Sequence, residues 1–149
     1  MHVMSVARFE HFFRAAAGFD IDKADLKRYT DFVNQKIYDL LLSAQAAAKA
    51  NLRDIIQPHD LPTTQGLRKN LERFRKLDEE IELWPVLEHL ATRPRLDLAL
   101  SADTEARPPE IAGALSVALG HVFRIIDPKV KNPQSEQWER CIRVFDELL

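Results

Sequence analysis

From Lys23 to Asn51 the chain contains neither proline nor glycine, and its apolar residues recur at helical spacing. Leu26, Tyr29, Val33, Ile37, Leu40, Leu41 and Ala44 fall on a single stripe. A helix of that length runs about 40 Å at its usual rise per residue. That is long for a chain of 149 residues. Such a stripe has to be covered along its whole length, so the rest of the molecule is organised around it. Asp22 stands where an N-cap belongs. The far end, Ala44 to Ala50, is rich in alanine and lets another helix approach closely.

Shorter segments flank it. Val6, Phe9, Phe13 and Ala17 recur at three- and four-residue steps, which predicts a helix over Met4–Ala17 stopped by Gly18. After the long helix, Ile55-Ile56 is a brief β-like signal, and Pro58 is able to open a helix. Helical periodicity resumes from about Thr63 to Leu83, carried by Leu67, Leu71, Phe74, Leu77 and Ile81. Its other face, Arg68, Lys69, Arg73, Arg75 and Lys76, reads as solvated.

The same order then returns. A short helix is expected over Pro85–Thr92 and an extended loop over Arg93–Ser101. A longer helix follows over Pro109–Asp127, with Ile111, Leu115, Ala118, Leu119, Val122 and Ile126 apolar, and Pro128 ends it. After a polar loop, Lys129–Pro133, a last helix over Gln134–Leu149 carries Trp138, Cys141, Ile142, Phe145 and Leu148. The expectation is an all-α fold of two short–long–short units. Residues 1–149 form one domain, with one half at 1–82 and the other at 83–149.

Charge bounds the function. The chain has 21 Lys+Arg against 23 Asp+Glu. The first half carries 13 of each sign, the second 8 basic and 10 acidic. Neither half has the positive excess of a nucleic-acid packager, so any such role rests on a local patch. No stretch approaches 18 consecutive apolar residues, and Met1–Glu10 lacks the pattern of a signal peptide. One cysteine, Cys141, forms no internal disulfide and fits a reducing compartment. No membrane association is expected. The expected location is the cytoplasm, at the nucleoid if DNA is the partner.

The spacing Arg53-x-x-Ile56-x-x-x-Asp60-Leu61 carries a resemblance to the histone fold. Histone folds place an arginine in the second loop, an apolar residue in a short bridge and an aspartate at the start of the third helix. Arginine can grip a carboxylate in bidentate fashion, locking loop and helix together. Further stretches carry the resemblance on: Phe12–Asp25, Lys36–Leu42, Arg53–Leu61, Pro109–Ala118 and Asp127–Phe145. Over nearly the whole chain it resembles an uncharacterised bacterial and archaeal family in which two histone folds are fused. The resemblance implies that the halves pair as two histone chains do, an intramolecular pseudo-dimer, and implies no established activity. The second half departs from the motif. Lys129 and Glu136 keep the seven-residue spacing, but Asn132 stands where Ile56 would.

Little else carries chemistry. His2, His11, His59, His89 and His121 show no pairing at helical spacing, and no Glu-x-x-His occurs, so the usual helix-borne zinc and di-iron signatures are missing. His59-Asp60 spells the dipeptide of metal-dependent phosphohydrolases without identifiable companion ligands. Cys141 lies on an apolar face and reads as a buried thiol. Gly18, Gly66, Gly113 and Gly120 form no phosphate loop, and Gly113 and Gly120 read as close helix crossings. Trp84 and Trp138 could stack on bases but read as packing residues. No catalytic residue, metal or cofactor is expected.

An enzyme or small-molecule binder would need a pocket with convergent titratable groups, and two further functional classes stay open. One is a non-enzymatic association module whose partner is itself or another protein. The other is a weak, sequence-independent architectural protein on duplex DNA. Histone chains pair head to tail, which would set Lys23 and Lys27 beside Lys129 and Lys131, and Arg53 beside Arg93 and Arg95. Each cluster is a candidate for phosphate contacts, although Arg53 is also wanted by Asp60.

Overall fold

A computed structural model describes residues 3–18, 20–81 and 95–149. The helix expected over Pro85–Thr92, with Trp84, His89 and Arg93, lies outside the described residues, as does His2.

The chain is mostly helical. Helix α1 spans Val3–Ala17 and ends at Gly18, whose φ of 72° is a conformation glycine adopts without strain. Helix α2 spans Lys23–Ala50. Asp22 caps it reciprocally: its carboxylate accepts from Asp25 N–H at 2.9 Å, and the Asp25 carboxylate accepts from Asp22 N–H at 3.0 Å. All seven residues of the expected stripe are buried. Strand β1, Ile55–Ile56, is followed by a 3-10 turn over Pro58–Asp60. Helix α3 spans Gln65–Ile81 and starts five residues beyond Asp60. The position implied by the histone resemblance, with Asp60 at the start of the third helix, is thereby corrected, while the periodicity expected from about Thr63 lies two residues from the observed start. Pro58 starts only a single tight turn, and Leu61 is already extended.

Strand β2, Ala99–Leu100, lies parallel to β1, with Ile55 opposite Ala99 and Ile56 opposite Leu100. A four-residue helix, α4, follows over Ala102–Glu105, where the sequence periodicity assigns no element. Ala106 and Arg107 separate it from α5, Pro108–Ile126, which Pro108 and Pro109 open. Asp127, just before Pro128, is extended and ends α5. Helix α6 spans Ser135–Leu148.

Helix α5 is the axle of the fold, packing against α1, α2, α3 and α6. It is buried on several faces at once, from Ala112 through Val117 and again at Leu119, Gly120 and Phe123. The span Ala102–Ile126 is apolar and long enough to cross a membrane by composition, yet 56% of its apolar window is covered by the core. Two glycines set the crossings. A Cβ on Gly113 would lie 2.5 Å from the Phe74 ring of α3, and one on Gly120 would lie 3.0 Å from Ala17 Cβ of α1. Around α5, Phe9 and Phe13 pack on Tyr29, Phe32 on Phe145, and Phe123 edge-on to Trp138. Deep in this core the Tyr29 hydroxyl bonds Ser116 Oγ at 2.6 Å, and Ser116 Oγ donates to the Ala112 carbonyl. Lys36, almost fully buried on α2, donates to Asp146 of α6 at 2.5 Å and ties the last helix to the long one.

Candidate functional site

The loops expected to carry function meet at two junctions, at opposite ends of the long helix α2.

At the first junction, the segment after α2 meets the segment before α4. Arg53 donates from both terminal nitrogens to Asp60, 2.6 Å to Oδ2 and 2.5 Å to Oδ1. The Asp60 side chain is 2% exposed, that of Arg53 30%. Gln57 N–H adds a bond to the same carboxylate at 2.8 Å. These contacts, the Arg53 hydrogen bonds foremost, hold the Asp60 carboxyl at about 2 against the cost of burial. The pair fastens the loop to the turn that precedes α3.

Ile56, fully buried, carries the bridge to the other strand. Its carbonyl accepts from Ser101 N–H at 3.1 Å and from Thr104 Oγ1 at 2.7 Å. Ser101 also caps α4 by accepting from Thr104 N–H. Gln45, buried on α2, accepts from Asp97 N–H at 2.7 Å and Leu98 N–H at 3.0 Å, and so places the entry to β2. Lys49 donates to Asp97 at 2.7 Å, which lowers the Asp97 pKa. Sequence reading does not find Gln45 and Thr104 as organisers. Their signal is a polar residue on a buried face, visible only once that face is known.

At the second junction, Asp20 N–H donates to the Lys131 carbonyl at 2.6 Å, joining the loop after α1 to the loop after α5. Arg28 donates to Ser135 Oγ at 2.6 Å, and Arg124 reaches the carbonyls of Ala17 and Pro128. The backbone contact falls on Lys131 and the buried apolar side chain on Val130. Asn132, placed opposite Ile56 by spacing alone, is exposed. Glu136 bonds Arg140 on its own helix at 2.6 Å, one turn away, and Lys129 carries no ion pair among the described residues. The second loop is instead pinned by Asp127, which accepts from Gln137 at 2.8 Å and from Lys129 N–H at 3.1 Å.

The candidate phosphate-binding residues separate into two groups. Arg53 is engaged by Asp60, and Lys27 by Asp31 at 3.2 Å. Lys23, Arg95, Lys129 and Lys131 are exposed and make no ion pair among the described residues. Acidic neighbours at the second junction have partners of their own: exposed Asp20 accepts from Arg14, and Asp22, exposed, and Asp25, buried, form the α2 cap. Burial raises the Asp25 pKa even so. At the first junction Asp54 is exposed, and His59 extends into solvent beside Asp60. Cys141 is fully buried, which pushes its thiol up to about 11. On the surface of α3, Arg75 pairs with Glu110 and Arg73 donates to His121 Nδ1 at 3.1 Å.

A fold of this length and element order, with both junctions in place, is that of a bacterial family: the chain belongs to the family described as a domain of unknown function, DUF1931, whose pattern matches residues 9–146. It is 51% identical to a Thermus thermophilus protein of known crystal structure, with a TM-score of 0.85 over 97% of each chain. It shares the fold of an Aquifex aeolicus protein solved by crystallography, at 21% identity and a TM-score of 0.84, over 97% of this chain and 95% of that one. An uncharacterised protein of Aquifex aeolicus strain VF5 is 23% identical across 95% of this chain and 82% of its own length.

Proposed function

We propose that the chain is two histone folds fused in one polypeptide, paired head to tail, and that it acts as a non-enzymatic association module. Support for the pairing comes from the junctions. Each joins the loop that ends one long helix to the loop that opens the other. The first does so through the parallel β1–β2 bridge, the second through Asp20 and Lys131. The Arg53–Asp60 pair supports it further, since that geometry is what the histone resemblance asks of those positions.

The observation that carries the association reading is what the surface offers. Several cations near the junctions are engaged by carboxylates, Arg53 by Asp60, Lys49 by Asp97 and Lys27 by Asp31, whereas Lys23, Arg95, Lys129 and Lys131 make no ion pair among the described residues. Large apolar side chains also stand in solvent, Leu52 at 95%, Ile125 at 79% and Leu148 at 75% exposure. Exposed apolar groups gathered in patches mark protein-binding surface.

A second reading, weak duplex binding, draws on one specific observation. Lys23, Lys129 and Lys131 sit on the segments that meet at the second junction, exposed and without an ion pair among the described residues. The test is a titration of labelled duplex DNA at two salt concentrations. The association reading expects no saturable binding at either. Saturable binding with a log–log salt slope of about −4 to −5, abolished by Lys129→Glu with Lys131→Glu, would replace it with the architectural one.

A further inference from the structure

The extended stretch between the 3-10 turn and α3 forms a pocket of about 320 Å3 with α2 and the start of α5. Its apolar lining includes Leu40 and Leu61, both buried, with Leu67 of α3 and Ile111 of α5. That size lies at the lower end of small-molecule sites, which run from about 300 to 1,000 Å3. The turn at its edge is fixed, because Asp60 is held by Arg53 and by Gln57 N–H. The pocket is therefore formed before anything binds.

Its titratable lining is cationic. Arg107 and His59 stand at the pocket, both exposed, and no carboxylate lines it among the described residues. Neighbouring carboxylates are committed elsewhere: Asp60, 2% exposed, to Arg53, and Glu110, 13% exposed, to Arg75, whose Nε donates to it at 2.8 Å. Arg107 reaches Glu110 through Nη1 alone, at 3.4 Å, and its Nε and Nη2 make no hydrogen bond among the described residues. His59 Nε2 lies 4.0 Å from Asp60 Oδ1, beyond hydrogen-bond reach. Asp103 and Glu105 of α4 are exposed and do not line the pocket.

We infer that this pocket binds a small organic carboxylate. The apolar body lies against Leu40, Leu61 and Ile111, and the carboxylate takes the free donors of Arg107, with His59 a further donor at the rim. At about 30 Å3 for each water-sized group, the volume holds a ligand of about ten non-hydrogen atoms, which is the size of octanoate. The inference goes beyond the association reading and does not depend on it.

Octanoate titrated into the intact, isotope-labelled chain at pH 7, followed by backbone amide chemical shifts, tests it. Saturable shifts are expected at Leu61, Leu67 and Ile111, with a dissociation constant of about 0.1–1 mM for a ligand of this size. Octanol, with the same chain and no charge, should bind about tenfold more weakly. Arg107→Gln should raise the octanoate constant about tenfold and leave that of octanol unchanged, a split that a loss of packing would not give. Thr63→Trp, at an exposed lining position, should fill the pocket and abolish the binding of both. Both substituted side chains are exposed, so the variants should melt as the wild type does. The inference is overturned by shifts that do not saturate up to about 5 mM, by shifts centred away from the pocket, or by octanol binding as tightly as octanoate. It is equally overturned by an Arg107→Gln variant that weakens both ligands alike, or by either variant keeping the wild-type constants.

Discussion

The ring of Phe74 on α3 occupies the space in which a side chain on Gly113 of α5 would stand, and a Cβ there would come within 2.5 Å of it. The two helices approach this closely because Gly113 has no side chain. Helix propensity would favour alanine there by about 1 kcal/mol, so the glycine is held by packing.

Gly113→Ala is therefore expected to destabilise the protein, by about 1–3 kcal/mol of overpacking less the propensity gain. Combined with Phe74→Leu, which opens the contact, the alanine should cost less than it does alone. Chemical denaturation of the four members of this cycle is the measurement. Additive losses would mean that the two residues do not share the space.

The Arg53–Asp60 pair makes a second prediction. Asp60→Ala leaves Arg53 partly buried without its carboxylate and Gln57 N–H without its acceptor, and should cost roughly 2–4 kcal/mol. Arg53→Ala should cost less when Asp60 is already gone. The pH dependence has a definite sign. The Asp60 carboxyl is held at about 2 in the fold, below its ordinary 3.8. Its contribution is complete above about pH 4 and is lost as the pH falls toward 2. Asp25 works the other way, since burial raises its pKa and acidification relieves that cost. Asp60→Asn should flatten the loss of stability between pH 4 and 2. An unchanged acid limb would show that the pair contributes nothing.

Cys141 is enclosed on the inner face of α6, and burial lifts its thiol to about 11. It should stay unmodified by a thiol-specific reagent at pH 8 in the native state and react fully after denaturation. Rapid native-state modification would place it in an open environment and contradict the packing of α6.

The long elements are legible in the sequence. The apolar stripe of α2, the cap at Asp22, the stop at Gly18 and the Arg53–Asp60 spacing all follow from local rules that tertiary contacts do not override. What stays hidden is of two kinds. Pro58 is a helix-starting residue and the histone resemblance puts Asp60 at the opening of the third helix, but the chain extends again at Leu61 and α3 begins at Gln65, two residues past the Thr63 at which the periodicity resumes. Spacing aligns the second loop on Asn132, whereas the backbone contact falls at Lys131 and the buried side chain is Val130. Register in a loop is decided by the opposing segment, here Asp20, over a hundred residues away in the chain. Gln45 and Thr104 escape sequence reading for the same reason: their partners lie in distant segments.

If the two halves of this chain complete one another as paired histone folds, neither should stand alone. Helix α5 of the second half fills the space between α1, α2 and α3 of the first. Equilibrium unfolding of a fragment of residues 1–82, followed by circular dichroism and sedimentation, tests this most directly. Deprived of α5, the fragment should be largely unfolded or should self-associate through the faces that Gly113 and Gly120 normally cover. A monomeric 1–82 fragment that melts cooperatively would contradict it.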